Sequence, residues 1–303
     1  MDQLQKPECG MEAQESGAEV VRTGGKINLF LSITGRRENG YHELHTLFMP
    51  LPEPADTLIF RPADRASGIA VTCAEPGIDL ERNTLTRAYS LYAEATGFAP
   101  AVDVELVKAI PHGAGLGGGS ADGAEVLAWL QRNAPQPMEE EALNLLAARV
   151  GADVPFFLKG RPCLAEGIGE ILTPADPGMD GWSCVLVCPR IHVNTAWAYG
   201  AWDAENTSFF LTEKKKADKN NRSSYQSLYG LNDFESVVFA ANPVLLELKA
   251  QLIQQGANIA GMSGSGSSLF GLFQERENAA RVAEFFRQKE EGLSVFGPFR
   301  FED

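Results

Sequence analysis

The chain has 303 residues, 44% hydrophobic and 22% charged, which is enough for one large domain or two ordinary ones with sizeable cores. Its formal charge of −14 argues against a nucleic-acid or anionic-membrane binder, but not against a small anion held by local N–H donors. No apolar run approaches the roughly 18–20 residues that span a bilayer, and the polar residues 1–20 read as a flexible tail rather than a signal peptide.

The first predicted strand is Lys26–Ile33, and the hairpin signal Asn39-Gly40 returns Tyr41–Leu51 as its partner. Further strands are expected at Thr57–Arg61 and Ile69–Cys73. Asn83–Thr96 carries Leu85, Ala88, Leu91 and Tyr92 on one stripe, with Gly97 as its stop, and predicts a helix. Val102-Asp103-Val104-Glu105-Leu106 alternates apolar and charged residues, the pattern of a half-exposed antiparallel strand that runs on to Ile110. Helices follow over Ser120–Asn133, with Ser120 as N-cap, and over Met138–Val150, closed by Gly151. Asp153-Val-Pro-Phe-Phe-Leu then leads toward another strand.

Near residue 165 the pattern restarts. Strands are expected at Cys163–Glu166, Glu170–Leu172, Cys184–Cys188 and Leu269–Gln274, with a short one at the end. Helices are expected at Asn194–Trp202, Phe234–Phe239, Pro243–Gln255 and Glu277–Lys289. The basic stretch Lys214–Arg222 reads as a solvated loop. The five cysteines are odd in number and form no C-x-x-C pair; Cys184 and Cys188 share a strand face, which predicts buried, reduced thiols and a cytoplasmic setting. The order of elements predicts an α+β fold of two domains, 21–164 and 165–303, after the tail.

The most informative segment is Pro111-His-Gly-Ala-Gly-Leu-Gly-Gly-Gly-Ser-Ala121, between a predicted strand and a predicted helix. Glycines let backbone N–H groups approach phosphate oxygens, and a helix N-terminus adds partial positive charge. Gly113-x-x-x-x-Gly118-Gly119-Ser120 is not a P-loop, because glycine stands where its lysine belongs. Gly113-x-Gly115-x-x-Gly118 matches the dinucleotide fingerprint, but the alternating strand before it is not the apolar parallel strand that fingerprint follows. Three other features suit phosphate transfer, and none decides the matter singly. Lys26 is either a cleft cation or a strand-edge lysine; Asp153 is either a base or a turn cap; the turn Ser263-Gly-Ser-Gly-Ser-Ser268 is either a second cradle or a simple hairpin.

Together they resemble a family. Gly25-Lys-Ile-Asn-Leu-Phe-Leu, the loop Pro111–Ala121, Gly151-Ala-Asp-Val-Pro and Ser263-Gly-Ser-Gly-Ser resemble, in order, the motifs of the GHMP kinases, the galactokinase, homoserine, mevalonate and phosphomevalonate kinases. Gly35-Arg-Arg-Glu-Asn-Gly-Tyr-His42 and Ala165–Pro174 narrow the likeness to one member acting on a CDP-linked alcohol. The resemblance implies a two-domain fold, an N-terminal nucleotide-binding domain and a C-terminal α/β sandwich, with the active site in the cleft between them. It implies ATP and Mg²⁺, and phosphorylation of the 2-hydroxyl of a CDP-linked methylerythritol on the non-mevalonate route to isoprenoid precursors.

By the same resemblance Asp153 is the base, and Lys26 stabilises negative charge beside it. Pro111, His112, Gly113, Ala114, Gly115, Leu116, Gly117, Gly118, Gly119, Ser120 and Ala121 wrap the ATP phosphates, with Asn83 and Lys108 facing the nucleotide. Tyr41, His42 and Tyr199 hold the cytosine end, Thr195 and Asp153 are among the substrate-binding residues, Asn28 lies near the methylerythritol hydroxyls, and Gly264, Ser265 and Gly266 close the site. The resemblance makes Ser120 a partner for phosphate or Mg²⁺ and names no further metal-binding side chain, and the assembly is a monomer or a homodimer. Two departures stand out: Gly24-Gly25 replaces a usual Pro-Ala pair, and Ala121-Asp122-Gly123 a usual Ser-x-Ala. The alternatives are a homoserine- or mevalonate-type kinase and a catalytically silent ligand-binding relative.

Overall fold

The computed structural model describes residues 17–76, 78–206, 225–289 and 292–301; the stretch Lys214–Arg222 and most of the N-terminal tail lie outside them. Two long strands, β1 (Glu19–Arg36) and β2 (His42–Pro62), form an antiparallel hairpin that runs from Glu19 opposite Phe60 to Arg36 opposite His42. Its turn contains Asn39-Gly40, as the sequence predicts. Glu19 and Val20 already belong to β1, so the expected tail gives up its last residues to the sheet, and Lys26 lies inside the strand rather than at its start.

Ile69–Cys73 (β3), Val102–Val107 (β4), Cys163–Gly167 (β5) and Ile171–Pro174 (β6) complete a six-stranded sheet of order β3-β4-β2-β5-β6, with β1 along the other edge of β2. One β2 edge serves two partners: Leu44–Phe48 pairs with β5, and Thr57–Pro62 with β4. This is why the expected break near Leu51 does not occur and Thr57–Arg61 is no separate strand. Pro50, Pro52 and Pro54 lie between or beside the paired runs, where a missing N–H costs little. In β4, Val102, Val104 and Leu106 are buried and Asp103 and Val107 exposed, the alternation the sequence carries. The strand stops at Val107 because Ala109 and Ile110 donate their N–H groups to Asp56 Oδ1 instead of to a neighbouring strand.

Helices α1 (Thr84–Thr96), α2 (Gly118–Asn133) and α3 (Glu140–Val150) cover one face of this sheet. Their core includes Leu58, Phe60, Leu106, Tyr92, Leu127 and Leu130, with the Phe60 ring stacked on Trp129 at 5.1 Å; such a pair adds about 0.5–1.5 kcal/mol beyond its buried area. The segment expected to lead into a strand forms a short helix, α4 (Val154–Lys159), with proline in its first turn and Gly160 as its left-handed stop.

A second, antiparallel sheet of order β10-β7-β9-β8 joins Ser183–Pro189 (β7), Ile259–Met262 (β8), Leu269–Phe273 (β9) and Leu293–Arg300 (β10). Helices α5 (Thr195–Glu205), α6 (Glu235–Ala241), α7 (Pro243–Gln254) and α8 (Arg276–Lys289) pack on it through Trp202, Val238, Leu248, Leu252, Val282 and Phe286. No single described helix is long and apolar enough to cross a membrane; α6 and α7 pass that test only together and are bent by 115°. Cys184 and Cys188 are buried free thiols on one face of β7.

The hairpin β1–β2 belongs to both halves. Ile27, Leu29, Phe30 and Leu47 share a core with Leu186, Phe270 and Leu272 of the second sheet. Along β1, Gly230 N–H donates to Leu29 O, Leu31 N–H to Leu231 O and Asp233 N–H to Leu31 O, all within 3.0 Å.

Candidate active site

A cavity of about 920 Å³ lies where the hairpin, the glycine loop, α5 and the 263–268 turn meet. Register shifts in the β1–β2 pairing fall between Gly24 and Lys26 and between Asn28 and Phe30, so bulges flank the run that carries Lys26 and Asn28. Bulges re-aim side chains and are common beside active sites. Lys26 is 4% exposed; its Nζ donates to Asn28 Oδ1 at 2.7 Å and stands 3.5 Å from Asp153 Oδ2 and 4.9 Å from the Phe48 ring centre. Asn28 in turn donates to Thr46 Oγ1 at 2.8 Å, so its amide is occupied in holding the lysine. Asp153 occupies the N-cap position of α4, yet its side chain caps nothing and its carboxylate is 28% exposed on the cavity side.

The glycine loop is pinned by its carbonyls. Ala114 O accepts from Ser268 N–H at 3.1 Å, Gly115 O from Ser263 Oγ at 2.8 Å, Leu116 O from Lys26 N–H at 2.8 Å and Gly119 O from Thr84 Oγ1 at 2.5 Å. The N–H groups of His112 to Gly119 meet no acceptor among the described residues, and α2 opens directly from the loop. Free amides with a helix N-terminus behind them make an anion cradle. A methyl carbon at Gly115, whose φ is +78°, would lie 2.0 Å from Ser263 O, so this contact admits only glycine. The same reasoning accounts for Gly24 and Gly25, where a Cβ would lie 1.8 Å from Leu51 O and 2.9 Å from Leu116 O: the departure at this pair lets β1 approach β2 and the loop closely. The N-cap of α2 is Gly117, not Ser120; Ser120 sits in the first turn and donates its own N–H to Gly117 O.

Behind the loop, Lys108 Nζ is shared between the Asp56 carboxylate and Asp122 Oδ2, the latter at 2.8 Å, with all three side chains nearly buried. Burial, opposed by Lys108 and reinforced by Asp56, pushes the Asp122 carboxyl up to about 7. Lys108 therefore reaches the cavity already paired. Asn83 caps α1, accepting from Thr86 N–H and donating to Asp79 O and Leu80 O, and it lines a neighbouring cavity of about 680 Å³ together with Lys108 and His112.

At the other end, Thr195, Tyr199 and Asp203 stand at i, i+4 and i+8 of α5 and line the main cavity as one face. The His42 ring stacks on Tyr199 at 4.5 Å, and its Nε2 lies 2.7 Å from Asp203 Oδ1, whose other oxygen pairs with Arg36 at 3.4 Å. Burial, with Asp153 nearby, raises the Tyr199 phenol well above its ordinary range. Tyr41 is 59% exposed at the rim. Thr195 Oγ1 meets Ser265 Oγ at 2.9 Å and closes the far side.

Of the residues singled out from sequence, Lys26, Asn28, Tyr41, His42, Lys108, Pro111 to Ser120, Asp153, Thr195, Tyr199, Gly264 and Ser265 line this one cavity. Asn83, Ala121 and Gly266 do not; Ala121 is fully buried, and Gly266 packs against Met262. Sequence reasoning missed Asp56, Asp122, Arg36, Thr84, Phe48 and Asp203. Arg36 and Asp122 stood inside segments the sequence singled out without being given a role, and Asp203 carried the signal of its spacing of four from Tyr199.

Two family models match the chain, the GHMP kinases N terminal domain over residues 83–161 and the GHMP kinases C terminal over residues 212–292. The chain belongs to the GHMP kinases. It is 51% identical over 284 residues to the 4-diphosphocytidyl-2-C-methyl-D-erythritol kinase of Nitratidesulfovibrio vulgaris, covering 92% of this chain and 98% of that protein. A crystal structure of 4-(cytidine 5'-diphospho)-2C-methyl-D-erythritol kinase, 36% identical, superposes with a TM-score of 0.73 over 92% of this chain and all of that one. A homoserine kinase from Cytophaga hutchinsonii matches at 18% identity and a TM-score of 0.67, covering 97% of this chain and 98% of its own, a likeness of fold alone.

Proposed function

We infer that the chain transfers the terminal phosphoryl group of ATP to the 2-hydroxyl of 4-diphosphocytidyl-2-C-methyl-D-erythritol, a step of the non-mevalonate route to isoprenoid precursors. The observation that carries this reading is a single cavity lined by three groups: the amide-rich loop, the Lys26–Asp153 pair, and the His42–Tyr199 pocket with Tyr41 at its rim. The curated relatives supply the name of the alcohol, and a cavity of about 920 Å³ has room for a substrate with a nucleotide at one end.

On this reading the loop amides and the N-terminus of α2 hold the ATP phosphates. Asp153, spared from capping, takes the proton of the attacking hydroxyl, which contributes on the order of 10²–10⁴ in rate. Lys26, fixed by Asn28 and nearly dry, stabilises the charge that builds on the transferring group. The Ser120 hydroxyl is a hard oxygen donor beside the loop, and together with the phosphates it suits a Mg²⁺ that travels with the nucleotide. That ion would neutralise phosphate charge. His42, Tyr199 and Tyr41 then take the cytosine. We assign the reaction to a reducing cytoplasm, a reading supported by the free thiols of Cys184 and Cys188.

An ATP-consumption assay with 4-diphosphocytidyl-2-C-methyl-D-erythritol, homoserine and mevalonate tests the assignment. Turnover of the CDP-linked alcohol well above the other two is expected; preference for homoserine or mevalonate would overturn it.

A further inference from the structure

The glycine loop is pinned by hydrogen bonds to the carbonyls of Ala114, Gly115, Leu116 and Gly119, but its first glycine is held differently. Gly113 has φ +66°, and among the described residues its carbonyl accepts no hydrogen bond. What lies against it is the ring of His192: a methyl carbon on Gly113 would stand 2.2 Å from His192 Nδ1 and 2.4 Å from Cε1. The same ring lies nearly parallel to that of His112, with centroids 6.1 Å apart and an interplanar angle of 8°. His112 lines both the main cavity and the neighbouring one beside Asn83 and Thr84.

The His192 backbone is itself well seated. Ser267 Oγ donates to Ile191 O at 2.5 Å, Pro189 is paired with Leu293 in the second sheet, and Val193 is buried. Ser267 belongs to the same turn whose Ser263 and Ser268 hold Gly115 and Ala114. One rigid corner of the second half thus presents two hydrogen-bond donors and one aromatic ring to the loop. Parallel stacked rings aim their nitrogens side by side rather than at a common point, so the pair is a packing contact and not a metal site.

We propose that His192 is a positioning residue for nucleotide binding: its ring packs on Gly113 and stacks on His112, and so holds the first turn of the glycine loop in the shape that receives phosphate. This rests on the reading of that loop as the ATP site. His192 acts through Gly113 and His112, and its own surface exposure means that its removal spares the folded core. Its loss frees the first turn, so the ligand must order that turn on binding.

The test compares the wild type with His192→Ala and His192→Phe. Calorimetric titration with a non-hydrolysable ATP analogue gives affinity, and steady-state turnover gives KM for each substrate. A stacked pair of this kind corresponds to about three- to tenfold in affinity, so His192→Ala should weaken analogue binding and raise KM for ATP by that factor. Both kcat at saturating ATP and KM for the CDP-linked alcohol should stay within about twofold. His192→Phe, which keeps a flat ring, should recover most of the loss, and thermal midpoints should be alike in all three proteins. Unchanged nucleotide affinity in His192→Ala, equal losses in the Ala and Phe variants, or a loss spread over both substrates would overturn the proposal. If the wild type binds the analogue but turns over no CDP-linked alcohol, the assigned reaction falls, while the binding comparison still decides the role of His192.

Discussion

Replacing Asp122 by asparagine should stabilise the protein above neutral pH and do little below pH 5. Asp122 is 1% exposed; one carboxylate oxygen meets Lys108 Nζ at 2.8 Å, and the other, Oδ1, has no hydrogen-bond partner among the described residues. Burial, opposed by Lys108 and reinforced by Asp56, moves its pKa from 3.8 to about 7. The folded protein therefore keeps a proton on Asp122 that the unfolded chain releases near pH 4. The stability Asp122 contributes is complete below about pH 4, falls as pH rises toward 7, and is gone above it. The gap from 3.8 to about 7, at about 1.36 kcal/mol per pH unit, sets a ceiling of about 4 kcal/mol. Because neighbouring side chains and water relax around the buried charge, about 1–3 kcal/mol is the expected share. The amide of the Asp122→Asn variant would keep a carbonyl acceptor for Lys108, which still has Asp56 as counter-ion, and would shed the ionisation cost. Urea unfolding of wild type and Asp122→Asn at about pH 5, 6, 7 and 8 measures this directly. A stability gain that is the same at every pH, or a loss that deepens toward pH 8, would refute the reasoning.

Asp153→Ala should bind the ATP analogue normally yet lose about 10²–10⁴ in kcat, read by single-turnover kinetics; undiminished turnover would remove Asp153 from the base role. Lys26→Met should lower kcat by about 10²–10³ with a smaller change in either KM. Gly115→Ala, forced against Ser263 O at 2.0 Å and into a strained φ, should cost about 1–3 kcal/mol of stability and raise KM for ATP, seen in thermal melts and initial rates. Asp203→Asn weakens the restraint on His42 Nε2 and should raise KM for the CDP-linked alcohol about tenfold while leaving nucleotide affinity unchanged.

What could be read beforehand follows from where the information lies. The glycine loop and the turn 263–268 are local and compositional, so their contact-forming potential is visible in the chain, although nothing in either segment says that they touch each other. Lys26 and Asp153 are ordinary residues in isolation, and only the ordered set of motifs singles them out. The bulges that flank Lys26 and Asn28, and the two-partner edge of β2 that carries three prolines without breaking, are products of pairing between distant strands. Val154–Lys159 is unreadable as a helix for another reason: six residues with Pro155 and two phenylalanines satisfy no helical period. Asp56 is the most hidden of all. It follows Pro54-Ala55 in the middle of β2, and its role as counter-ion to Lys108 and acceptor for Ala109 and Ile110 exists only across more than fifty residues of chain.

The sharing of the β1–β2 hairpin has a consequence for how the molecule comes apart. Its Leu31 and Ile33 pack with Val187 and Phe234, and its Ile27 and Phe30 with Leu186 and Phe270. A nick between Pro174 and Ser183 would separate two fragments that each expose half of a common core, so neither is an autonomous piece. Such fragments should be recovered as one reassembled particle or not at all, and a cut chain that stays together should remain an enzyme.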